Sequence, residues 1–467
     1  MQADSRKIIS ENIVADRSKL KIICVFLHRI YFGRIPYERQ YRGKKRKAMN
    51  ITELQQSYAS HPNVEGVCRL LKDNSVRHLY CGGLYASAAS LFSSVLVQRA
   101  TCPLVFILGD MEEAGYFYHD LTQILGTEQV LFFPSSFRRA IKYGQKDAAN
   151  EILRTEVLSR LQKGEEGLCV VTYPDALAEK VVSRKELGEN TLKLHAGERV
   201  DMNFVTDVLR SYGFEYVDYV YEPGQYAVRG SIIDVFSFSS EYPFRIDFFG
   251  DEVESVRTFE VETQLSKEKK ESIVIVPDLS HSLEKKGSGG MVSFLDFLPS
   301  DSLLAMRDFL WLRERIQTVH DESLTPQAIA ARESEENGAI TLEGKLIDGG
   351  EFTLRALDFR RMEFGNKPTG TPDATVSFHT TVQPIFHKNF DMVAESFREY
   401  LSRHYTIYIC SDSLKQTDRI RAIFEDRGDN ISFTAVERTL HEGFADDTLR
   451  ICVFTDHQLF DRFHKYN

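Results

Sequence analysis

The chain has 467 residues, of which 42% are hydrophobic and 27% are charged, and its formal net charge is −10. This length and composition predict an ordinary globular protein of two to four domains, each large enough to bury a core. The acidic balance argues against a strong DNA-binding protein that acts alone, because phosphate neutralisation dominates such affinity. A protein partner is therefore the better expectation.

Residues 1–50 are predicted to be a basic tail. The first 48 residues contain 13 Lys and Arg against 4 Asp and Glu, and Met49 opens the first well-patterned segment. One interpretation is an arm that binds nucleic acid. The favoured interpretation is a disordered tail, or sequence upstream of a natural start at Met49.

Cysteine usage and hydropathy favour a cytoplasmic protein. The seven cysteines form no C-x-x-C pair and several lie in apolar runs, which indicates buried, reduced thiols. The best candidate for a membrane segment, residues 22–27, runs into His28 and Arg29 after only six residues. We therefore expect neither a transmembrane helix nor a secretory signal.

Residues 51–190 alternate predicted strands with predicted helices. Short apolar runs rich in β-branched and aromatic residues indicate buried strands, and helices are predicted between them, most clearly at 110–125 and 150–163. This alternation predicts a parallel sheet covered by helices on both faces. The strands are predicted at 78–81, 103–108, 129–134 and 167–173.

A Gly-Gly turn after the first of these strands has the outline of a nucleotide-binding loop. In the pattern G-x-x-x-x-G-K-[ST], a strand, a tight turn and a helix N-terminus together hold phosphate. With Gly82 as the first glycine, the last three positions are Ser87, Ala88 and Ala89. The lysine that reaches phosphate and the hydroxyl that holds magnesium are missing. The pattern fits a degenerate nucleotide site and equally an ordinary βα turn.

Residues 191–275 are rich in tyrosine and phenylalanine and contain several turn signals. They predict a small antiparallel sheet, with a helix at 202–212 packed on one of its faces. Texture and spacing thus change from those of a parallel α/β domain to those of an α+β domain.

The strand FRIDFF, residues 244–249, provides the sharpest physical clue to function. Alternation along a strand gives it one wholly apolar face and places Arg245, Asp247 and Phe249 on the other. An aromatic side chain beside an arginine is typical of the centre of a protein interface. Two alternatives stay open: another element covers this face, or Arg245 merely pairs with Asp247.

Residues 276–467 divide into an irregular stretch and a second α/β unit. Up to residue 380, helices are predicted at 302–319 and 325–336 and a glycine-rich turn at 348–352. From residue 381, alternating helices and strands predict a second, compact α/β unit. The helices of this unit are predicted at 390–404 and 413–426, and its strands at 405–411 and 449–455.

The sequence contains no convincing catalytic or metal-binding motif. No H-x-x-x-H pair and no Cys or His pair at zinc spacing is present. No acidic pair of the helicase type follows a buried strand, so a nucleotide-driven motor would also lack its second motif. We therefore expect no catalytic residues, no metal and no cofactor in this chain.

Residues 222–266 closely resemble a block shared by bacterial transcription-repair coupling factors (Mfd) and by the excision-repair protein UvrB. The matching motifs run in order as G-Q-Y-A-V-R-G, I-I-D-V-F, P-F-R-I-D-F-F, D-E-V-E-S-V-R-T-F and T-Q. The resemblance extends more weakly over residues 55–467, including FFPSS at 132–136 and TDHQLFDR at 455–462. Such a length of ordered agreement is not credible by chance.

Two departures favour the coupling factor over UvrB. UvrB keeps an intact nucleotide loop, which the coupling factor has lost in its first domain, as this chain has at Ser87, Ala88 and Ala89. UvrB also inserts a long DNA-clamping hairpin where this chain has only residues 137–149. The resemblance thus interprets the Gly82 loop as a degenerate P-loop retained as a fold element.

The resemblance implies a multidomain α/β fold. A degenerate RecA- or P-loop-like parallel-sheet domain, at 51–190 and 276–380, is interrupted by a UvrA-binding α+β domain at 191–275 and followed by a small α/β domain at 381–467. It also implies that the middle domain docks onto the excision-repair protein UvrA through Arg229, Arg245 and Phe249. Gly230 and Gly250 are expected to serve backbone geometry.

On the same grounds the chain is expected to be a monomeric, non-enzymatic N-terminal fragment of a coupling factor. RNA polymerase and DNA would bind through C-terminal domains that the sequence lacks, and ATP and magnesium would be needed only by a missing motor. Two other classes stay open as alternatives: a P-loop ATPase with an unusual loop, and a nucleic-acid-binding protein that uses the basic residues 34–47.

Overall fold

A computed structural model describes residues 48–136, 148–279, 290–323 and 344–461. The basic tail up to residue 47 and the helix predicted at 325–336 therefore lie outside the described residues. The elements before the middle domain are β1 (Met49–Asn50), α1 (Ile51–Ala59), α2 (Pro62–Leu70), β2 (His78–Gly82), α3 (Ser87–Arg99), β3 (Leu104–Ile107), α4 (Met111–Leu125), β4 (Val130–Phe132), α5 (Ala148–Lys163), β5 (Cys169–Thr172), α6 (Pro174–Ala178), β6 (Val181–Val182) and α7 (Arg184–Glu189).

The middle region is dominated by antiparallel strands, as predicted from its turn signals. Its elements are β7 (Leu192–His195), α8 (Met202–Ser211), β8 (Glu215–Tyr216), β9 (Gln225–Arg229), β10 (Ile232–Val235), β11 (Phe244–Phe249), β12 (Glu252–Phe259), β13 (Ser266–Lys270) and β14 (Ser272–Ile275). Strands β8 to β13 form one six-stranded sheet in sequence order, and only the β8–β9 pair is parallel. Because neighbours in the chain are neighbours in space, short turns suffice to connect most of it.

The chain then returns to α/β structure. The elements are β15 (Met291–Val292), α9 (Phe294–Phe297), β16 (Leu303–Met306), α10 (Phe309–Ser323), α11 (Gly349–Ala356), β17 (Arg360–Gly365), β18 (Ala374–Ser377), β19 (Thr380–Val382), α12 (Phe390–Ser402), β20 (Thr406–Ser411), α13 (Leu414–Asp426), β21 (Thr434–Glu437), β22 (Phe444–Asp446), β23 (Ile451–Thr455) and α14 (Asp456–Leu459).

One seven-stranded parallel sheet contains strands from the segment before the middle domain and from the segment after it. Its strand order is β18-β2-β17-β16-β3-β5-β4, so β16, β17 and β18 lie beside strands from before residue 190. The predicted fold class is confirmed: a parallel α/β sheet is interrupted in sequence by the antiparallel middle sheet.

Two sequence predictions after residue 290 are wrong. Residues 303–306, assigned to a helix at 302–319, form the central strand β16, because four consecutive buried apolar residues fit between β17 and β3. The helix begins only at Phe309. The predicted turn at 348–352 instead starts helix α11, where the Asp348 side chain accepts a hydrogen bond from the Glu351 N–H and caps the first turn.

The last α/β unit is confirmed as a second sheet with its own helices. Its six strands follow the order β1-β21-β20-β23-β22-β19, and β1 at Met49–Asn50 pairs with β21 in parallel. Helices α12 and α13 pack on one face around Phe397 and Phe424. Other side chains of this sheet, Val436 and Phe444 among them, share the core of the parallel sheet. The two α/β units are thus packed against each other through a common core.

Candidate partner-binding surface

The middle sheet has a buried inner face and a polar outer face. Along β11, Phe244, Ile246 and Phe248 are buried in the core beneath α8, whereas Phe249 is 80% exposed. The predicted alternation is therefore confirmed. Two glycines permit the turns at the end of this sheet, since Gly230 has φ +63° and Gly250 has φ +62°.

A buried carboxylate organises the outer face. Asp234, opposite Arg245 in the β10–β11 register, is 1% exposed. Its Oδ1 accepts a hydrogen bond from Arg245 Nε at 2.7 Å, and its Oδ2 accepts one from Arg245 Nη2 at 2.9 Å. Arg229 donates to the same Oδ2 from Nη2. A single carboxylate thus holds both of the arginines that the sequence singled out.

Arg245 is deeply embedded in this arrangement. Its side chain is 14% exposed, its guanidinium lies 4.4 Å from the centre of the Phe259 ring, and its Nη1 donates to the Gln264 carbonyl at 3.1 Å. The alternative that it pairs with Asp247 is wrong, because Asp247 instead accepts from Arg257 Nη2 at 3.0 Å. Arg245 is bound inside the domain rather than displayed.

Arg229 and Phe249 are the accessible members of the predicted trio. The Arg229 side chain is 37% exposed, and among the described residues only its Nη2 is engaged in a hydrogen bond. Phe249 lies at the end of β11, opposite Glu252 in the hairpin to β12. The structure thus brings all three residues to one face of one sheet. Arg245 is mostly buried there, whereas Arg229 and Phe249 are exposed.

Part of the outer face is covered, as one of the open alternatives held. Val220 packs with Ala227, Phe236 and Phe259 in a small second core, which lies under the segments 217–221 and 260–265. The sequence did not show which segments form this cover, and the sequence analysis missed the central role of Asp234. A signal for Asp234 was present, because a carboxylate inside the apolar run IIDVF must find a partner when it is buried.

The predicted nucleotide loop lies after β2, in the parallel-sheet domain. Ser87, Ala88 and Ala89 are buried in the first turn of α3. The Ser87 N–H, which would point at phosphate in a nucleotide site, donates to the Glu442 carbonyl at 3.2 Å. Ser87 Oγ in turn accepts from the Glu442 N–H at 3.0 Å. A turn of the C-terminal unit therefore occupies the helix N-terminus.

Helix α4 supports the same turn through a buried carboxylate. Asp120 accepts hydrogen bonds from Ser87 Oγ at 2.6 Å, from Ser90 Oγ at 2.9 Å and from the His441 N–H at 2.7 Å. The imidazole of His441 stacks on the Tyr116 ring at 3.6 Å. Burial raises the pKa of Asp120 to about 6, in spite of the three donors that favour its charged form.

The cleft beside this loop is acidic. It has a volume of about 350 Å³ and is lined by one arginine, Arg307, which pairs with Glu113 at 2.8 Å. Its carboxylates are Asp110, Glu112, Glu113, Asp120 and Glu442. Such a lining repels the phosphates of a nucleotide.

Within the described residues, no three His, Cys, Asp or Glu side chains come together as metal ligands. No helix of the described residues is long and apolar enough to cross a bilayer.

The middle domain matches a known family model. Residues 192–281, which contain β7 to β14 and α8, match the family model of the UvrB interaction domain. All three predicted contact residues lie within this match.

Most of the chain is similar to transcription-repair-coupling factors, which confirms the predicted resemblance. That of Bacillus subtilis is 21% identical, and that of Staphylococcus aureus (strain bovine RF122) is 22% identical; each comparison covers 81% of this chain and 38% of the relative. That of Escherichia coli is 29% identical over 42% of this chain and 17% of the relative. The chain therefore spans well under half the length of the curated relatives that it matches.

Proposed function

We propose that this chain recruits the excision-repair protein UvrA to stalled RNA polymerase, as the UvrB-like part of a transcription-repair coupling factor. One observation carries the proposal: inside the matched interaction domain, a phenylalanine that is 80% exposed shares an open face with an arginine that keeps unused donors. A hydrophobic ring of this size so fully in water is typical of an interface anchor.

The proposed contact uses the two accessible residues of this face. Arg229, whose Nη2 is held by Asp234, donates from Nη1 to a carboxylate of UvrA, and Phe249 enters an apolar pocket of that partner. Such charge-assisted bonds are roughly twice as strong as neutral ones. Arg245 acts by positioning Asp234, which orients Arg229, rather than by touching the partner. This proposed division of roles differs from the resemblance, which implies that all three residues contact UvrA.

The experiment is a calorimetric titration of the chain into UvrA, with Arg229→Ala/Phe249→Ala against the wild type. Removing one interface anchor costs about 2–4 kcal/mol, or roughly thirty- to a thousand-fold in affinity. Arg245 is kept intact because its loss would disturb the fold as well as the surface. We expect saturable binding by the wild type and none by the double variant at micromolar concentrations.

A matched control removes one arginine and one exposed phenylalanine elsewhere in the same domain. Arg210 and Phe204 lie on α8, and are 69% exposed in the side chain and 54% exposed, respectively. Arg210→Ala/Phe204→Ala should bind UvrA as the wild type does. Equal binding by all three proteins would place the interface elsewhere, and no binding by the wild type would reduce the resemblance to one of fold.

We also propose that the chain binds no nucleotide. The support is the occupied N-terminus of α3, the five carboxylates of the cleft and the absence of a lysine at residue 88. The competing P-loop ATPase predicts that titrated magnesium-ATP binds with measurable heat and is hydrolysed. We expect neither signal. Saturable ATP binding by the wild type would overturn this part of the proposal.

The remaining activities of a coupling factor are assigned outside the matched part. The relatives are much longer than the region of similarity, and we assign RNA polymerase binding, DNA binding and ATP-driven translocation to their other segments. The chain itself would act in the cytoplasm as a monomer. DNA binding that disappears on deletion of residues 1–48 would instead support the nucleic-acid-binding alternative.

A further inference from the structure

Beside Arg229, the outer face carries exposed rings that the predicted trio does not include. Residues 219–221 alternate: Val220 is fully buried in the small second core, and Tyr219 and Tyr221 point outward with 50% and 56% of their surface exposed. The Arg229 guanidinium carbon lies 5.0 Å from the centre of the Tyr219 ring. Arg229 is therefore held between a carboxylate, Asp234, and an aromatic ring.

The segment that displays these tyrosines is fixed to its surroundings. Gln264, at φ +58°, donates from Nε2 to the Val261 carbonyl at 2.8 Å and to the Val220 carbonyl at 3.4 Å. Its own carbonyl accepts from Arg245 Nη1. The next residue, Leu265, is 68% exposed. Hydrogen bonds thus hold the backbone beside Tyr219, Tyr221 and Leu265, which lowers the ordering cost of binding.

The two apolar regions lie on opposite sides of Arg229. In the register of the sheet, Arg229, Ile232 and Asp247 stand in one row across β9, β10 and β11. Phe249 lies beyond this row toward the β11–β12 hairpin. On the other side of the row, Val220, the chain neighbour of Tyr219, packs with Ala227 in the small core. An arginine with unused donors between two apolar regions complements a segment in which a carboxylate is flanked by apolar side chains.

We propose that Tyr219, supported by Tyr221 and Leu265, is a second anchor of the docking surface and orients Arg229 toward the partner. The occupant is a segment of UvrA that offers a carboxylate to Arg229 and an apolar side chain to the Tyr219 ring. This inference rests on the proposed function. It enlarges the contact from one phenylalanine and one arginine to a two-sided surface.

The test substitutes Tyr219 in three ways and titrates each variant into UvrA. Tyr219→Ala should weaken binding at least about ten-fold, as the loss of an aromatic anchor does. Tyr219→Leu should recover part of that loss, because it keeps an apolar surface but not the ring that orients Arg229. Tyr219→Phe should bind within about three-fold of the wild type. Phe204→Ala, on the opposite side of the domain, should show no change.

A double-mutant cycle isolates the orienting role. If the Tyr219 ring positions Arg229, the effects of Tyr219→Ala and Arg229→Ala are less than additive, because removal of either one removes the oriented guanidinium. Strictly additive effects would overturn the positioning role. Thermal unfolding of each variant checks that the small second core, which Val220 rather than Tyr219 fills, is intact.

The outcomes separate this inference from the function on which it rests. If Arg229→Ala/Phe249→Ala abolishes binding and Tyr219→Ala does not, the proposed function stands and the second anchor is wrong. If neither variant affects binding, the proposed docking face itself is wrong. If Tyr219→Ala abolishes self-association in sedimentation but leaves UvrA binding intact, the occupant is a second copy of this chain, which also overturns the inference.

Discussion

The outer face of the middle sheet and the loop after β2 both place polar groups where a ligand could bind, but their groups are engaged very differently. At the loop, the Ser87 N–H and hydroxyl and the Asp120 carboxylate are all paired with the turn at residues 441 and 442. On the outer face, the buried Asp234 is paired, but Arg229 hydrogen-bonds to other described residues only through Nη2. The outline of a nucleotide loop in the sequence thus does not show that its polar groups are available to a ligand.

The loop after β2 is engaged in a structural contact. The N–H groups at a helix N-terminus need acceptors, and here a backbone carbonyl supplies one for Ser87. The C-terminal unit provides that carbonyl and packs Val436 and Phe444 into the same core. The loop is therefore part of the contact between two units, and substitutions there should affect stability. Substitutions of the exposed residues on the outer face should affect binding.

The largest loss of stability is expected from removal of the buried carboxylate that supports the outer face. Asp234→Ala leaves the Arg245 guanidinium, 14% exposed, without its carboxylate. Breaking a buried ion pair from one side costs about 3–5 kcal/mol. We expect a loss of this size in the free energy of unfolding, measured by urea denaturation.

The neighbouring pair on the same face is the control for Asp234. Asp247 is 22% exposed in its side chain and its partner Arg257 is 34% exposed, so Asp247→Ala should cost at most about 1 kcal/mol. Equal urea midpoints for the two variants would show that Asp234 is not the central support of the outer face.

A second prediction concerns the loop after β2 and its contact with the C-terminal unit. Gly83 has φ +76°, and a Cβ atom there would lie 2.1 Å from the Phe378 carbonyl oxygen, at the junction with the C-terminal unit. Gly83→Ala combines left-handed strain with a displaced backbone, at about 2–4 kcal/mol. Gly428, with φ +71° and no atom within 4 Å of such a Cβ, has the positive-φ strain alone. If Gly428→Ala destabilises the chain as much, the close approach at Gly83 contributes nothing.

A third prediction follows from the titration of Asp120. Its pKa is about 6 in the folded chain against 3.8 for the ordinary side chain. Between these values the folded state keeps a proton that the unfolded chain releases, so the stability due to this group decreases as pH rises from about 4 to 6 and is constant above. Asp120→Asn removes this dependence.

The measurement for Asp120 is a pair of urea denaturation series. The wild-type minus variant difference in unfolding free energy should decrease by about 2 kcal/mol between pH 4.5 and pH 7. The difference is used because Glu442, His441 and Cys410, which face the same region, are present in both proteins. A difference that stays constant across this range would contradict the pKa.

Local pattern accounts for most of the strands and helices, because burial and periodicity are written in neighbouring residues. It was wrong at residues 303–306, where an apolar run fits a helix as well as a buried strand and only the flanking strands β3 and β17 decide. The contact of Ser87 with Glu442 joins residues 355 positions apart. No local pattern predicts such a pairing, which depends on how two units dock.

The site was predictable to the extent that strand alternation controls it. The exposure of Phe249 follows from its position in FRIDFF. The burial of Arg245 does not, because it depends on Phe259, Gln264 and the cover formed by residues 217–221. Alternation says which face a side chain points to, but it does not say what else lies over that face.

The smallest effect on folding is expected at the most exposed ring of the open face. Phe249 is 80% exposed, so Phe249→Ala removes little buried apolar area and should change the free energy of unfolding by no more than about 0.5 kcal/mol. If Phe249 is the proposed anchor, the same variant loses roughly thirty-fold or more in affinity for UvrA, because the ring would then be buried only in the complex. Urea denaturation and calorimetry on one preparation measure both quantities. A variant that unfolds more easily and binds normally would mean that Phe249 stabilises the hairpin rather than contacting the partner. The outer face would then be a structural element like the loop after β2.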